Sequence, residues 1–557
     1  MDSVPFTPAS PAAAAPPRVE LLWLTRQQVR HLILAVAIGL ALTVRLAGLT
    51  TSGFSDDEMA KVQAVESYRH GDFTANAEHP MVMKFAIWAS LDAIRRWNAA
   101  VRPSMHLGEE AAVRLPNAIA GVATVIAVYA VGELLFGPAV GLTAAALVAL
   151  DPNITAINRI GKEDTLMMFF FLLAVGFYER AKVVGVHCLP GTPQFRHAQR
   201  WYQSSAAAFG LMIASKYMPH FWGIYALFNH VFDDADPHNS PIKLKYNLTV
   251  LGTFVAANWA ILLPATWRYC VRYVLGDDLQ HHGFPYAHHL WVTDVMVSPL
   301  GVPWTYYVRL LATKVPVLVL VGAMIGLVPL VRQRHERGYV WLRMMLLLIV
   351  VPYSLMAAKF ERYSLPLLLL IDILAAVGVC AASKWLWERA WARVTRASVC
   401  TAVYAALIGV LMVTDSTAAP FYSLNQNAIG ARLDAPASTF PEEAYDYGIR
   451  EAVRDIETVA HPNASIVSDV PRIVQHYLGG RSDLRVRSLS MDGIGTSGEQ
   501  WVLVQPEHVY FENALVIDGL RRQFTPWREY HMKRTTVLQV FRLNRSHQRT
   551  QAASGRH

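Results

Sequence analysis

The sequence predicts a polytopic α-helical membrane protein with a small soluble α/β domain at its C-terminal end. Three observations lead there. Of the 557 residues, 53% are apolar and only 17% charged, whereas soluble domains carry about 25% charged residues. A mean hydropathy of +0.26 is too low for a chain that is membrane throughout, so the apolar residues must be gathered into segments. After about Ser416 the long apolar runs stop, and helical patterns alternate with short β-branched runs. An ordinary cytosolic enzyme is excluded. The net charge of +8 does not point to nucleic acid, because most Lys and Arg lie in short loops beside apolar runs, where positive charge sets membrane orientation.

Residues 1–31 include the Pro- and Ala-rich stretch PFTPASPAAAAPPRVE and are expected to form a disordered cytoplasmic N-terminus. The apolar run 32–49 is longer than a signal-peptide core and is followed by no small-residue cleavage site, so it reads as the first span. Ten more candidates follow at 111–134, 139–157, 165–181, 204–216, 218–232, 247–265, 305–331, 341–357, 363–382 and 398–415. They are read against the roughly 20 apolar residues that cross a bilayer. The total is about 11 transmembrane helices.

Arg18, Arg26 and Arg30 precede the first span, and threading the chain from there brings the basic stretches 182–200, 243–245, 332–343 and 384–396 to the same side. By the positive-inside rule that side is cytoplasmic. Residues 32–415 then form a transmembrane domain with outer loops 50–110 and 266–304, and residues 416–545 an extracytoplasmic, periplasmic α/β domain. In that domain EEAYDYGIREAVRDIETVA and PRIVQHYLGG read as helices, and ASIVSDV, LRVRSLS, EQWVLVQ and TTVLQVFRL as strands. Residues 546–557 read as a disordered tail. The four cysteines, Cys188, Cys270, Cys380 and Cys400, lie far apart and predict neither a disulfide framework nor a structural zinc site.

Chemistry is therefore sought on the outer face. Asp56, Asp57 and Glu58 follow the first span directly, and Glu78, His79 and Lys84 come about twenty residues later. The amphipathic AKVQAVESYRHG between them predicts a helix along the interface, which would hold the carboxylates over a cavity. Any one of these charges alone reads as solvated; the cluster is what points to a site. In NRIGKEDTLMMF, residues Arg159, Lys162, Glu163 and Asp164 sit at the outer mouth of two spans. Ionisable groups there are costly unless they face water or a partner, although a short turn with snorkelling side chains is the plainer reading. Lys216 in ASKYMP reads either as a helix-end anchor or as a third cation of the site. The loop with His281, His282, His288 and His289 offers doublets rather than the HxxxH spacing of a metal helix. No metal ligands are assigned, and a divalent ion is the one cofactor left open.

These residues carry a family resemblance. VRLAGLTTSGFSDDEMAKVQAVESYRHGDF followed by EHPMVMK resembles the first outer loop of the protein O-mannosyltransferase family, within the GT-C superfamily of membrane glycosyltransferases. In that family an Arg near the end of the first helix precedes an Asp-Glu pair, an interfacial helix and a His-Pro motif ending in Lys. Arg45, Asp57, Glu58, His79, Pro80 and Lys84 match position by position. VRLPNAIAGVATV, with Arg114, Leu115 and Pro116, is similar to the family's Arg-Leu-Pro start of the second helix, and NRIGKED to its Arg-x-x-x-x-Asp, giving Arg159 and Asp164. Lys216 in SKYMP, the HHG loop with His282, and FERYSLPLLLL with Arg362 and Tyr363 resemble related bacterial members, including the lipid A aminoarabinose transferase. The resemblance covers about residues 40–385. The sequence departs from it twice: His79 stands where the aminoarabinose transferase has a Lys after its Glu, and no trefoil-like segment separates the later spans as in eukaryotic protein mannosyltransferases.

The resemblance implies an inner (plasma) membrane enzyme that moves a sugar, mannose or another hexose or pentose, from a polyprenyl-phosphate donor to an acceptor hydroxyl. The acceptor is a protein or an envelope glycolipid at the outer face, and the displacement inverts the anomeric centre. Such a reaction needs a base for the hydroxyl and cations for the departing phosphate. Asp57 is the expected base, its pKa raised at a desolvated boundary, with adjacent Asp56 the competing candidate. Glu58 and Asp164 orient acceptor and sugar, and Lys84, Lys216, Arg159 and Arg362 neutralise the phosphate. Glu78, His79, His282 and Tyr363 contact the substrates. A multipass transporter is the rival reading, but it predicts paired halves and ionisable groups near the midplane, and neither is visible. A sensor or scaffold built on the external domain is the third.

Overall fold

The computed structural model describes residues 25–544 apart from 186–187, 218–222, 224, 226–239, 276–280, 288, 294–299, 390–392, 434–444, 491–493, 495–497 and 507. Helix α1 (Arg26–Leu46) opens with a capping box, Thr25 and Gln28 each satisfying the other's backbone N–H. Two helices follow in the first outer loop, α2 (Asp56–Arg69) and α3 (Met81–Ala100). The sequence predicts only the first of them. Ser55 and Glu58 form the capping box that starts α2, a Ser-x-x-Glu spacing visible in the sequence.

The membrane domain continues with α4 (Glu109–Phe136), α5 (Pro138–Leu150), α6 (Pro152–Asn158), α7 (Glu163–Gly185), α8 (Pro193–Ser215) and α9 (Lys243–Ala257). Beyond lie α10 (Pro264–Leu275), a hairpin of β1 (His281–Tyr286) and β2 (His289–Thr293), then α11 (Thr305–Lys314), α12 (Val317–Arg332), α13 (Arg337–Leu355), α14 (Leu365–Arg389) and α15 (Arg393–Ala418). Among the described residues, five helices are long and apolar enough to cross a membrane, or six if the bent pair α5–α6 counts as one span. The expected span at 218–232 falls mostly outside the described residues.

Three expected spans are broken: 247–265 ends as a helix at Ala257 and is followed by the 3-10 turn Trp259–Leu262, and the other two break at a proline. The span 139–157 bends by 66° between α5 and α6: Pro152 disfavours a helical conformation for Asp151, whose carboxylate instead accepts the N–H of Asn153 (2.7 Å) and Ile154 (3.0 Å). The span 305–331 divides at Pro316, where Val315 is extended. The apolar surface is distributed as a lipid contact requires: Leu244, Leu248 and Leu251 are exposed on α9, and Val321, Met324 and Val328 on α12. Gly322 and Gly326 face Gly378 at a distance that leaves no room for a Cβ, so α12 and α14 approach backbone to backbone, a packing favoured in membranes.

After α15 the chain builds the expected α/β domain. It contains α16 (Ile449–Val459), β3 (Ser465–Ser468), α17 (Pro471–Tyr477), β4 (Arg485–Ser488), β5 (Gln500–Val504), α18 (Ala514–Gln523), β6 (Arg528–Met532) and β7 (Thr535–Leu543). The sheet order is β4-β3-β5-β7-β6, with β3 parallel to both neighbours and β7 antiparallel to both of its own. The alternation of side chains divides two cores. Val467, Val502, Val504 and Phe541 pack with α18 on one face. Ile466, Trp501, Leu503, Leu538 and Val540 pack with α16 and α17 on the other, and that second core runs on without a break into Phe54, Met59, Val65, Met83 and Ile87. The α/β domain therefore shares its hydrophobic interior with α2 and α3.

Candidate active site

Asp57 is the second residue of α2, and adjacent Asp56 the first. Their carboxylates diverge. Asp56 pairs with Arg472 of the α/β domain (2.6 Å), whereas Asp57 turns toward the membrane domain and meets Lys162 in the turn between α6 and α7 (2.6 Å). One helical turn along α2, Lys61 lies on the Asp57 face and pairs with Glu163 (3.0 Å), which also has His79 Nδ1 at 3.6 Å. Asp164 is paired with Lys216 at the end of α8 (2.5 Å), while Asp164 Oδ2 is buried without a hydrogen-bond partner among the described residues. The Lys216 ammonium stands 4.5 Å from the centre of the Tyr363 ring. Tyr363 and Arg362 lie in the 3-10 turn Glu361–Ser364, anchored by Lys314, which pairs with Glu361 (2.5 Å) and donates to the Ser423 carbonyl (2.7 Å).

The result is a largely buried network of alternating sign. Lys61, Lys162, Glu163 and Asp164 are buried, whereas the Asp57 side chain remains 30% exposed. Burial works to raise the Asp57 carboxyl, but Lys162, Arg362 and Lys61 outweigh it and hold the group well below the usual carboxylate range. The helix N-terminus favours the same anion. The expected upward shift is thus reversed. Burial lowers the Lys162 ammonium to about 8 against the pull of Asp57, and burial likewise keeps His79 well below its ordinary value.

Several predicted residues are engaged elsewhere. Lys84, expected on the donor phosphate, is buried and donates to the carbonyls of Ala75 (3.2 Å), Asn76 (2.7 Å) and His79 (2.8 Å); it fixes the loop that presents His79. Arg159, expected in the same role, donates to the carbonyls of Val44 (2.8 Å), Arg45 (3.2 Å), Ala47 (2.6 Å) and Gly48 (3.0 Å). It closes the C-terminal end of α1, whose last carbonyls have no helical partner. Arg45 returns the favour to α5, bonding the carbonyls of Val148 (2.8 Å) and Ala149 (2.9 Å). Glu58, expected to orient substrate, is fully buried against Arg114 (2.8 Å) and accepts the N–H groups of Ser55 (3.0 Å) and Gly161 (2.9 Å). Glu78 accepts from Asn76 Nδ2 (2.5 Å). His282 lies on β1 and its side chain falls outside the described residues.

The sequence reading assigned no role to Lys61, Lys162 or Glu163. The four-residue spacing of Asp57 and Lys61 on one helix is the available signal for the first; the sequence sets Lys162 and Glu163 at the outer mouth and names no partner for either. Among the described residues no three His, Cys, Asp or Glu side chains are grouped to hold a metal ion.

Residues 96–261 match the family model described as dolichyl-phosphate-mannose-protein mannosyltransferase. A search of curated protein sequences returned no match. Among solved structures, the chain is similar to ArnT from Cupriavidus metallidurans bound to undecaprenyl phosphate, with 12% identity and a TM-score of 0.52 over 94% of this chain and 99% of that one. The apo state of ArnT gives 13% identity and a TM-score of 0.51, covering 92% and 97%. The Archaeoglobus fulgidus oligosaccharyltransferase tethered to an acceptor peptide gives 10% and 0.52, covering 92% of this chain and 74% of that one. The likeness to these solved structures runs over nearly the whole chain and shows a shared fold, that of a multipass membrane protein.

Proposed function

We propose that the chain is an integral membrane glycosyltransferase that moves a sugar from a polyprenyl phosphate to an acceptor hydroxyl, with inversion. The sugar is mannose or another hexose or pentose, and the acceptor a protein or envelope glycolipid. The observation that carries the reading is the partly exposed Asp57 carboxylate beside Lys162, Lys61 and Arg362, with Lys216, on its Tyr363 platform, paired to Asp164. The fold likeness to ArnT, whose structure holds undecaprenyl phosphate, supports the same donor class. We place the site on the extracytoplasmic side of the inner membrane, because the basic stretches 332–343 and 384–396 mark the opposite end. Residues 32–415 are the catalytic domain and 416–545 the extracytoplasmic one.

In the transfer, the bond from the anomeric carbon to the phosphate oxygen breaks as the acceptor oxygen attacks from the opposite face. The hydroxyl proton passes to Asp57, and the electron pair leaves with the phosphate. Asp57 surrounded by cations alone is a weak base. A bound donor changes that balance, because its phosphate draws on the charge of Lys162 and Arg362 and so restores basicity to the neighbouring carboxylate. As negative charge grows on the leaving phosphate, those cations and Lys216 stabilise it. Asp164, held by Lys216 with one oxygen unpartnered among the described residues, would accept a hydrogen bond from a sugar hydroxyl.

The test is release of polyprenyl phosphate from a polyprenyl-phosphate sugar by the full-length chain in proteoliposomes. Wild type is expected to release it and Asp57→Asn to lose about 10²–10⁴-fold of the rate. A transporter would release none, and an Asp57→Asn protein with full activity overturns the assignment.

A further inference from the structure

Between α1 and α2 the chain from Leu49 to Ser55 has neither helix nor strand, yet its backbone is held from two sides. Arg114, on α4 of the membrane domain, donates to the carbonyls of Leu49 (2.7 Å), Ser52 (3.0 Å) and Gly53 (2.5 Å). Arg450, on α16 of the α/β domain, donates to those of Thr50 (2.9 Å) and Thr51 (2.8 Å). Five consecutive carbonyls are therefore met by two guanidinium groups, one from each domain.

The α/β domain also takes the next two free N–H groups. Tyr477 Oη accepts the N–H of Phe54 (2.7 Å) and donates to Glu110 (3.0 Å). Asp446 Oδ2 accepts the N–H of Asp56 (2.7 Å) and is itself buried. The fit is close: a Cβ on Gly53 would stand 3.0 Å from Arg450 Cβ and 3.2 Å from Tyr477 Oη. The residue after Asp56 is Asp57.

We infer that Arg450, Tyr477 and Asp446 are positioning residues for Asp57. The α/β domain is the second jaw of a clamp that sets where the N-terminus of α2 stands over the cation cluster. This deepens the reading of Asp57 given above and rests on it. The cations that the proposed function sets on the donor phosphate, Lys162, Lys216 and Arg362, are carried by other elements of the membrane domain. Loosening the clamp therefore displaces the base relative to a donor that still binds. The cost falls on kcat rather than on donor KM, since a misplacement near 1 Å at a reacting group costs about 10²-fold.

The experiment compares full-length wild type with Tyr477→Phe, Arg450→Met, the double variant and Arg450→Lys. Hydrogen exchange of the peptide spanning residues 50–57 is read beside transfer kinetics and the melting midpoint. Faster exchange at Phe54 and Thr51 in the double variant is expected, with kcat reduced about 10- to 100-fold, donor KM and melting midpoint nearly unchanged, and part of the rate restored by Arg450→Lys. Unchanged exchange overturns the clamp. So does faster exchange with wild-type kcat, or a loss of rate that only follows the loss of folded protein. Asp57→Asn is assayed in parallel: if it retains transfer, the reading of Asp57 as base has failed and the positioning claim falls with it, while the exchange data still report whether the contacts hold the loop.

Discussion

Two sets of buried charges lie at the same end of the membrane domain, and they are held in different ways. Arg45, Arg114, Arg159 and Lys84 direct their N–H groups at backbone carbonyls, and Glu58 answers Arg114 and two backbone N–H groups. Asp57, Lys162, Glu163, Asp164 and Lys216 pair side chain to side chain, as does Lys61, which also donates to the Asp57 carbonyl. A charge fixed to backbone cannot turn to a ligand without leaving an unsatisfied carbonyl, which costs about 1–3 kcal/mol per buried group. A charge paired with another side chain can exchange that partner for a phosphate or a hydroxyl. On the reading proposed above, the first set is a frame and the second a site, although both consist of the same residue types within a few residues of one another.

The sharpest way to break this comparison is to alter neighbours from the two sets. Glu58→Ala strands buried Arg114, and removal of one partner of a buried pair costs about 3–5 kcal/mol; loss of folded protein from the membrane is expected. Asp57→Asn, at the adjacent position, should leave the folded yield unchanged. Equal yields for both variants would erase the distinction between frame and site.

A second contrast is between two lysines. Lys216→Ala should raise donor KM about 10- to 100-fold, the value of a charge-assisted hydrogen bond, when read at matched amounts of folded protein, since it also takes the partner from buried Asp164. Lys84→Met should destabilise the fold and leave donor dependence as it was. Donor titrations of the two purified variants, each beside its melting curve, check both halves.

The third concerns pH. Lys162 is lowered to about 8 and Asp57 stays ionised well into acid, so the Asp57–Lys162 pair is intact below about pH 8 and lost above it. Transfer should change on the alkaline side through that ionisation, and Lys162→Arg, whose guanidinium does not titrate there, should move the limb upward in a pH–rate profile.

The smallest effect is expected in the α/β domain. Burial raises Asp446 to about 7, against the lowering influence of His508. A carboxyl with a folded pKa above its unfolded one contributes stability that is full below about pH 4 and lost as pH rises through about 7. The melting midpoint should therefore fall across that range in wild type and less steeply in Asp446→Asn.

Much of this was legible in the sequence, and the gaps have physical causes. Apolar runs mark spans, but they do not say where a helix breaks; Pro316 and Pro152 do, and both lay inside expected spans. α3 is too mixed in composition to stand out as a helix, and α18 and β6 are short. At the site, motif order brought together Asp57, His79, Asp164, Lys216, Arg362 and Tyr363 as candidates, and the fold gathers their elements at one end of the domain. A motif gives a residue type and a spacing. It does not say whether the N–H groups of Arg159 or Lys84 point at a ligand or at the chain's own carbonyls, because that depends on how helices from distant parts of the sequence meet. Nor does it separate Asp56 from Asp57, whose partners, Arg472 and Lys162, belong to different domains.

That last pair gives the most direct test. Release of polyprenyl phosphate by Asp56→Asn and Asp57→Asn is measured at matched amounts of folded protein. Asp56→Asn loses only an exposed ion pair, worth about 0–1 kcal/mol, and should keep most of the wild-type rate, while Asp57→Asn should lose it. An active Asp57→Asn protein, or an inactive Asp56→Asn beside it, would contradict the account.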